Sequence, residues 1–166
     1  MGFKKVDVKT LDMKPFEKIG SEWMLISAAK DGKANTMTAS WGGIGVLWGK
    51  NVATVYIRPQ RHTKEFVDGG DTFTISFFGG GHMKELGYLG KVSGKDVPDK
   101  IEQSGLHLTE VDGQPGFEEA TQVLVCRKLY HDDIKPENFY EPEEDERWYP
   151  EKIIIPCTSL RSGSAG

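Results

Sequence analysis

Apolar and polar residues alternate in short runs through the first half of the chain, and the runs stop at glycine, proline or an Asp-Gly pair. Trp23–Ala29 (WMLISAA) ends at Asp31-Gly32, after which the chain resumes with Asn35–Trp41 (NTMTASW). Two strand-like runs around such a pair predict a β-hairpin. Asn51–Ile57 (NVATVYI) is rich in β-branched residues and stops at Arg58-Pro59, where proline removes a ladder donor. Thr72–Phe78 (TFTISFF) predicts a further strand. Between them, Thr63–Val67 (TKEFV) before Gly69-Gly70 predicts a short helix capped by Thr63 and closed by glycine.

Past Gly79-Gly80-Gly81 the period changes. HMKELGYLGKVSG and DVPDKIEQSGL have helical spacing and contain glycines that break each into a short helix. Leu106–Glu110 and Thr121–Leu129 predict strands, the second apolar enough in VLVC to cross a core. The run EPEEDE, residues 141–146, predicts a solvated acidic loop. Many strands with a few short helices predict a mainly β (α+β) fold, a closed or partly closed barrel rather than a doubly wound sheet.

Composition narrows the classes. The chain has 166 residues, 37% apolar and 28% charged, as expected of an ordinary globular protein forming a single domain over 1–166. At that length roughly 68–70% of the unfolded surface can be buried without disulfides or a structural metal. A net charge of −4 gives no basic excess to track phosphates, so nucleic acid is not an expected partner. Cys126 and Cys157 lack any CxxC or Cys/His spacing and read as free thiols in a reducing cytosol. MGFKKVDVKT has lysines but no apolar run behind them, and Val6 breaks the myristoylation pattern, so the expectation is a cytoplasmic protein with no membrane partner.

Several motifs fail on inspection. Gly43-Ile44-Gly45 is followed by Trp48 where GxGxxG needs glycine, and Gly49-Lys50 has Ile44 where the phosphate-loop pattern needs its first glycine and Asn51 where it needs Ser or Thr. His62, His82, His107 and His131 are scattered without a second ligand at metal spacing, so no metal site is expected. GxSxG does not occur, and nothing announces covalent catalysis.

Three segments carry candidate chemistry. In Asn35–Trp41, small and hydroxyl residues (Asn35, Met37, Thr38, Ala39, Ser40, Trp41) lead into Gly42-Gly43, so the backbone can approach a flat ring closely, with Thr38 and Ser40 on one side by strand alternation. An ordinary hairpin strand has the same composition. In Tyr56–Thr63 a strand delivers Arg58 and Arg61 to a helix start, an anion site in outline, with His62 and Thr63 beside them. Surface arginines next to a capping threonine would read identically. Leu89–Lys100 (LGKVSGKDVPDK) is a glycine-hinged loop with Lys91 and Ser93 that could cover a cofactor or merely connect elements.

Taken together, NTMTASWGGIG, VYIRPQRHTKEF, FTISFF and LGKVSGKDVPDK resemble the flavin-reductase-like FMN-binding split β-barrels, in particular the branch containing flavoredoxin, over about residues 20–150. The resemblance implies non-covalent FMN, with the segment at Asn35–Trp41 along the isoalloxazine and that at Arg58–Thr63 at the ribityl phosphate. It implies Lys91 and Ser93 at the border where a nicotinamide or other partner approaches, and a homodimer with flavin near the interface. The activity it implies is electron transfer, foremost as an NADH- or NADPH-dependent flavin reductase. A flavoredoxin-type carrier reduced by another redox protein and a non-enzymatic binding module stand as alternatives. One departure is the tail: residues 153–166 (IIIPCTSLRSGSAG) do not resemble the closing strand of such proteins. Residues Ile153–Ser159 can be back-translated as ATT ATC ATA CCA TGT ACA TC, and restoring one G before it reads Asp-Tyr-His-Thr-Met-Tyr-Ile, so a single base missing from the coding DNA would account for the tail.

Overall fold

The computed structural model describes residues 2–151 and, by backbone, 155–165. Strands β1 (Met24–Lys30) and β2 (Lys33–Ala39) form the expected hairpin. β3 (Gly42–Leu47) and β4 (Lys50–Tyr56) form a second. Both turn on two residues of positive φ, Asp31-Gly32 and Trp48-Gly49, the twist that matches right-handed strands. The glycine-rich stretch that superficially suggests a phosphate loop is therefore β3 and its turn.

β5 (Thr72–Phe77) and the long β8 (Gln122–Ile134) pair along Thr72–Phe77, while β6 (Leu108–Val111) and β7 (Gln114–Phe117) form a separate ribbon. The chain ends as β9 (Ile155–Ala165), which inserts between β8 and β4. The tail that by sequence does not resemble a closing strand thus occupies a strand position. Ladder hydrogen bonds come from backbone, and the facing edges of β8 and β4 accept any chain that can extend.

The main sheet is antiparallel in the order β2-β1-β5-β8-β9-β4-β3. Its two ends share one core. Met37 and Ala39 from β2 pack in the same buried cluster as Ala53 and Val55 from β4, with Ile44 of β3 against them and Phe73, Ile75, Leu124 and Cys126 between. A flat sheet would hold β2 and β3 far apart, so the sheet curls until its first and last strands face each other, and the fold is mainly β, a split barrel with a few short helices. The chain itself crosses the split at Ser40-Trp41, between β2 and β3.

Helix α1 (His62–Asp68) closes one end of the barrel with Val67, and Phe66 packs against the same core. Outside, Leu25 and Val123 meet α2 (Met83–Lys91), α3 (Lys100–Ser104) and the β6–β7 ribbon through Leu86, Leu89, Ile101, Leu106 and Phe117. Three expectations need correction. α2 runs through Gly87 and Gly90 without breaking, because its Leu86 and Leu89 are buried and packing outweighs the glycine penalty. Thr63 is not the helix cap: Arg61 precedes α1 and Thr63 lies inside it. The acidic run forms a helix, α4 (Pro142–Trp148), with proline at its start and Glu143, Glu144 and Asp145 in the first turn, where the helix dipole favours them.

Candidate functional site

Two hollows adjoin at the split. The first, of about 160 Å3, is lined by Met37–Trp41 on one side and by Tyr56, Arg58 and Arg61 on the other. β2 supplies its wall by alternation: Met37 and Ala39 turn into the core, whereas Thr38 turns outward and donates its hydroxyl proton to the Leu86 carbonyl of α2. Thr38 is thus committed to docking α2 and lines the hollow as an acceptor. Trp41 caps the far side, with the Arg58 guanidinium 4.8 Å from its ring centre and the Trp148 ring edge-on at 5.3 Å. α4 is anchored to the hollow by these contacts and by Tyr149, 6.0 Å from Arg58.

The second hollow, of about 90 Å3, has Asn35 and Thr63 as its floor, Arg61 and His62 on one wall, and Lys91, Ser93 and Lys100 on the other. Asn35 and Thr63 are both buried, and the Asn35 side-chain amide donates to the Thr63 hydroxyl at 2.9 Å, tying β2 to α1. Arg61 belongs to both hollows; its guanidinium donates to the Gly90 carbonyl at 3.0 Å and so links the barrel to the end of α2. The Ser93 hydroxyl accepts from the Lys95 backbone amide at 3.2 Å, fixing the turn that follows. Lys91 is exposed at the rim.

The charge of the second hollow is positive. Burial, and then the neighbouring Arg58, hold Arg61 below its ordinary pKa. Burial, and then Arg61, push Lys100 down to about 8. Lys95 also lies nearby, but it is neutralised by Glu65 at 2.8 Å. His62 Nδ1 stands 3.5 Å from another Glu65 oxygen and is buried without a hydrogen-bond partner. Such a surface suits a compact anion with several acceptor oxygens. Among the described residues no group of His, Cys, Asp and Glu could hold a metal ion.

No protein-family model matches the sequence, and no curated protein matches it. Solved structures do. The chain is similar to the FMN-binding domain of a flavin-reductase-like enzyme from Shewanella baltica OS155, at 19% identity and a TM-score of 0.70 over 98% of this chain and 75% of that one. The fold is that of the flavin-reductase-like FMN-binding domains. A flavoredoxin from Methanosarcina acetivorans follows at 20% identity, TM-score 0.65, over 87% of this chain and 67% of that one. The styrene monooxygenase flavin reductase from Pseudomonas putida S12 has 15% identity, TM-score 0.63, over 87% and 77%.

In this flavin-reductase-like fold the residues singled out by sequence divide cleanly between the hollows. Met37, Thr38, Ala39, Ser40, Trp41 and Arg58 line the first, Asn35, His62, Thr63, Lys91 and Ser93 the second, and Arg61 both. Sequence reasoning missed Tyr56, Gln60, Gly90, Val92, Gly94 and Lys100. Gly94 presses against the floor: a Cβ there would lie 2.5 Å from Asn35 Oδ1. A Cβ on Gly90 would meet the Thr38 side chain at 3.2 Å. The glycine spacing in LGKVSG was a signal for close approach. The burial of Lys100 had none, because Lys-Ile-Glu-Gln reads as an ordinary exposed helix start.

Cys126 is buried, and burial raises its thiol pKa to about 12, so it behaves as a small hydrophobe. Side chains from residue 152 onward, Cys157 among them, lie outside the described set.

Proposed function

We propose that the chain binds FMN non-covalently across the two hollows and passes electrons through it, as an NADH- or NADPH-dependent flavin reductase. The observation that carries this reading is the adjacency of a flat hollow, walled by β2 and Trp41, to a cationic one, with Arg61 common to both. FMN is built the same way, a planar ring system joined by a short chain to a phosphate. The residues present fit it: His62 Nδ1 is a buried polar atom without a hydrogen-bond partner, Arg61 and Lys100 supply positive charge, and Gly90 and Gly94 let the loop close against Thr38 and Asn35.

On this reading Met37–Trp41 and Arg58 lie along the ring, and Arg61, His62, Thr63, Lys91 and Ser93 with Asn35 surround the phosphate end. FMN supplies hydride or single-electron transfer, which is why no triad or metal is required. The protein orients the ring, places backbone donors and Arg58 beside it, and stabilises negative charge there without reorganisation. Trp41, held by Arg58 and Trp148, limits water on one side of the hollow.

Anaerobic titration of FMN-loaded protein followed at the flavin absorption band tests the proposal. Bleaching by NADH or NADPH supports the reductase. Bleaching by dithionite alone identifies a carrier reduced by another redox protein. Failure to bind FMN leaves a barrel used for binding alone. We place the protein in the cytoplasm and as a homodimer, the latter checked by light scattering after size-exclusion chromatography. Among the described residues no helix is long and apolar enough to cross a membrane.

A further inference from the structure

Lys100 opens α3 yet is only 2% exposed, and its ammonium donates to the carbonyls of Leu89 at 3.3 Å and Val92 at 2.8 Å. Lysine is rarely buried so completely unless paired, because an isolated ammonium loses its hydration. Beside it, Arg61 donates to the carbonyl of Gly90. Three carbonyls of one short segment, 89, 90 and 92, therefore turn toward two cations, and this bends Gly90–Gly94 around the second hollow. An ammonium has three donors. Two go to the carbonyls, which leaves one for the hollow that Lys100 lines.

Two of the neighbouring carboxylates, Glu65 and Asp99, are engaged elsewhere. Glu65 meets Lys95 and His62, and Asp99 accepts from the Gln103 side-chain amide. The Coulomb repulsion between Arg61 and Lys100 is the kind of strain that a bound dianion offsets.

Resting on the flavin reading of this site, we infer that Lys100 is a positioning residue for the phosphate: its ammonium holds the Gly90–Gly94 loop in concave form, and the grip on the anion rises and falls with Lys100 protonation. In the free protein, burial and Arg61 lower Lys100 to about 8. A phosphate in the hollow favours the charged form again, so binding takes up a proton as pH rises above that value. The other charged and titratable groups around the hollow are His62 and Glu65 from α1, Arg58 beside Arg61, Lys91 at the end of α2, Lys95 and the adjacent Asp96 in the loop, and Asp99 and Glu102 at α3. None of these is what lowers Lys100, which is held down by burial and then by Arg61.

The experiment is FMN affinity by flavin fluorescence quenching between about pH 7 and about pH 9, in buffer free of phosphate. The wild-type dissociation constant should rise about five- to tenfold across that interval. Lys100→Arg keeps a charge that does not titrate there, so its profile should be flat with affinity near that of the wild type at the lower pH. Lys100→Met should be flat and at least about tenfold weaker. His62→Gln and Lys91→Gln should weaken binding and keep the wild-type slope.

A second readout uses inorganic phosphate alone. It should slow amide exchange at Gly90–Gly94 in the wild type and in Lys100→Arg, and not in Lys100→Met. A flat wild-type profile, a wild-type slope in Lys100→Arg, or equal phosphate protection in Lys100→Met overturns the inference. Phosphate protection that depends on Lys100 in a protein that ignores FMN supports the role of Lys100 and sinks the flavin reading instead.

Discussion

Asn35 illustrates how a single side chain can hold a site together. Its amide bridges β2 to the Thr63 hydroxyl, which is 1% exposed and would be left without that partner in Asn35→Ala. Burying an unpaired hydroxyl costs about 1–3 kcal/mol, so urea denaturation should show a loss of that size together with weaker FMN binding. Gly94→Ala attacks the same floor from the loop side, since its Cβ would overlap Asn35 Oδ1. We expect at least about a tenfold loss of FMN affinity by fluorescence titration, larger than for Gly87→Ala, where a Cβ meets nothing. Away from the site, His107 Nδ1 pairs with Glu119 at 2.6 Å, and this raises the His107 pKa. Its contribution is complete below the ordinary histidine range and lost as pH rises through the raised value, so Glu119→Gln should flatten the difference in Tm between about pH 5.5 and about pH 8.5.

At the scale of elements, the β1–β2 hairpin was readable because an Asp-Gly pair and alternation are local chemistry: Asp31-Gly32 fixes its register by itself. β3 was not readable, because Gly42, Gly43 and Gly45 mimic a loop and only pairing with β4 extends them. α4 was missed for a related reason: six residues with five carboxylates look solvated until Trp148 and Tyr149 dock on Trp41 and Arg58. α3 carries a pH-dependent penalty of its own. The Lys100 charge destabilises the ligand-free protein fully below about 8, and the penalty lifts as pH rises toward the ordinary lysine value of 10.5. Wild type should therefore gain up to about 3 kcal/mol over Lys100→Met across that interval, measured by urea midpoints in phosphate-free buffer.

For the whole molecule, curling of the sheet creates the site. The stretches 35–41 and 56–63 run out of strands near opposite ends of the sheet order, β2 and β4, and meet because those ends close on one core. β9 sits between β8 and β4 and so holds half of that closure. Truncation after Glu151 exposes both ladder edges, and the expected result is loss of cooperative unfolding by circular dichroism and aggregation by light scattering. Replacing the tail from Ile153 by Asp-Tyr-His-Thr-Met-Tyr-Ile should raise the Tm if a base was lost from the coding DNA, which sequencing the source DNA checks directly.

The sequence by itself determined several of the strands, the Asp31-Gly32 turn and the chemical character of two separate segments, because alternation, β-branching and glycine placement act over a few residues. Tertiary structure alone decided that those segments share Arg61, that Thr38 donates its proton to α2 rather than to the hollow, and that Lys100 is buried beside a second cation. These are consequences of burial and of contacts between residues far apart along the chain, and no local pattern of residue types encodes either.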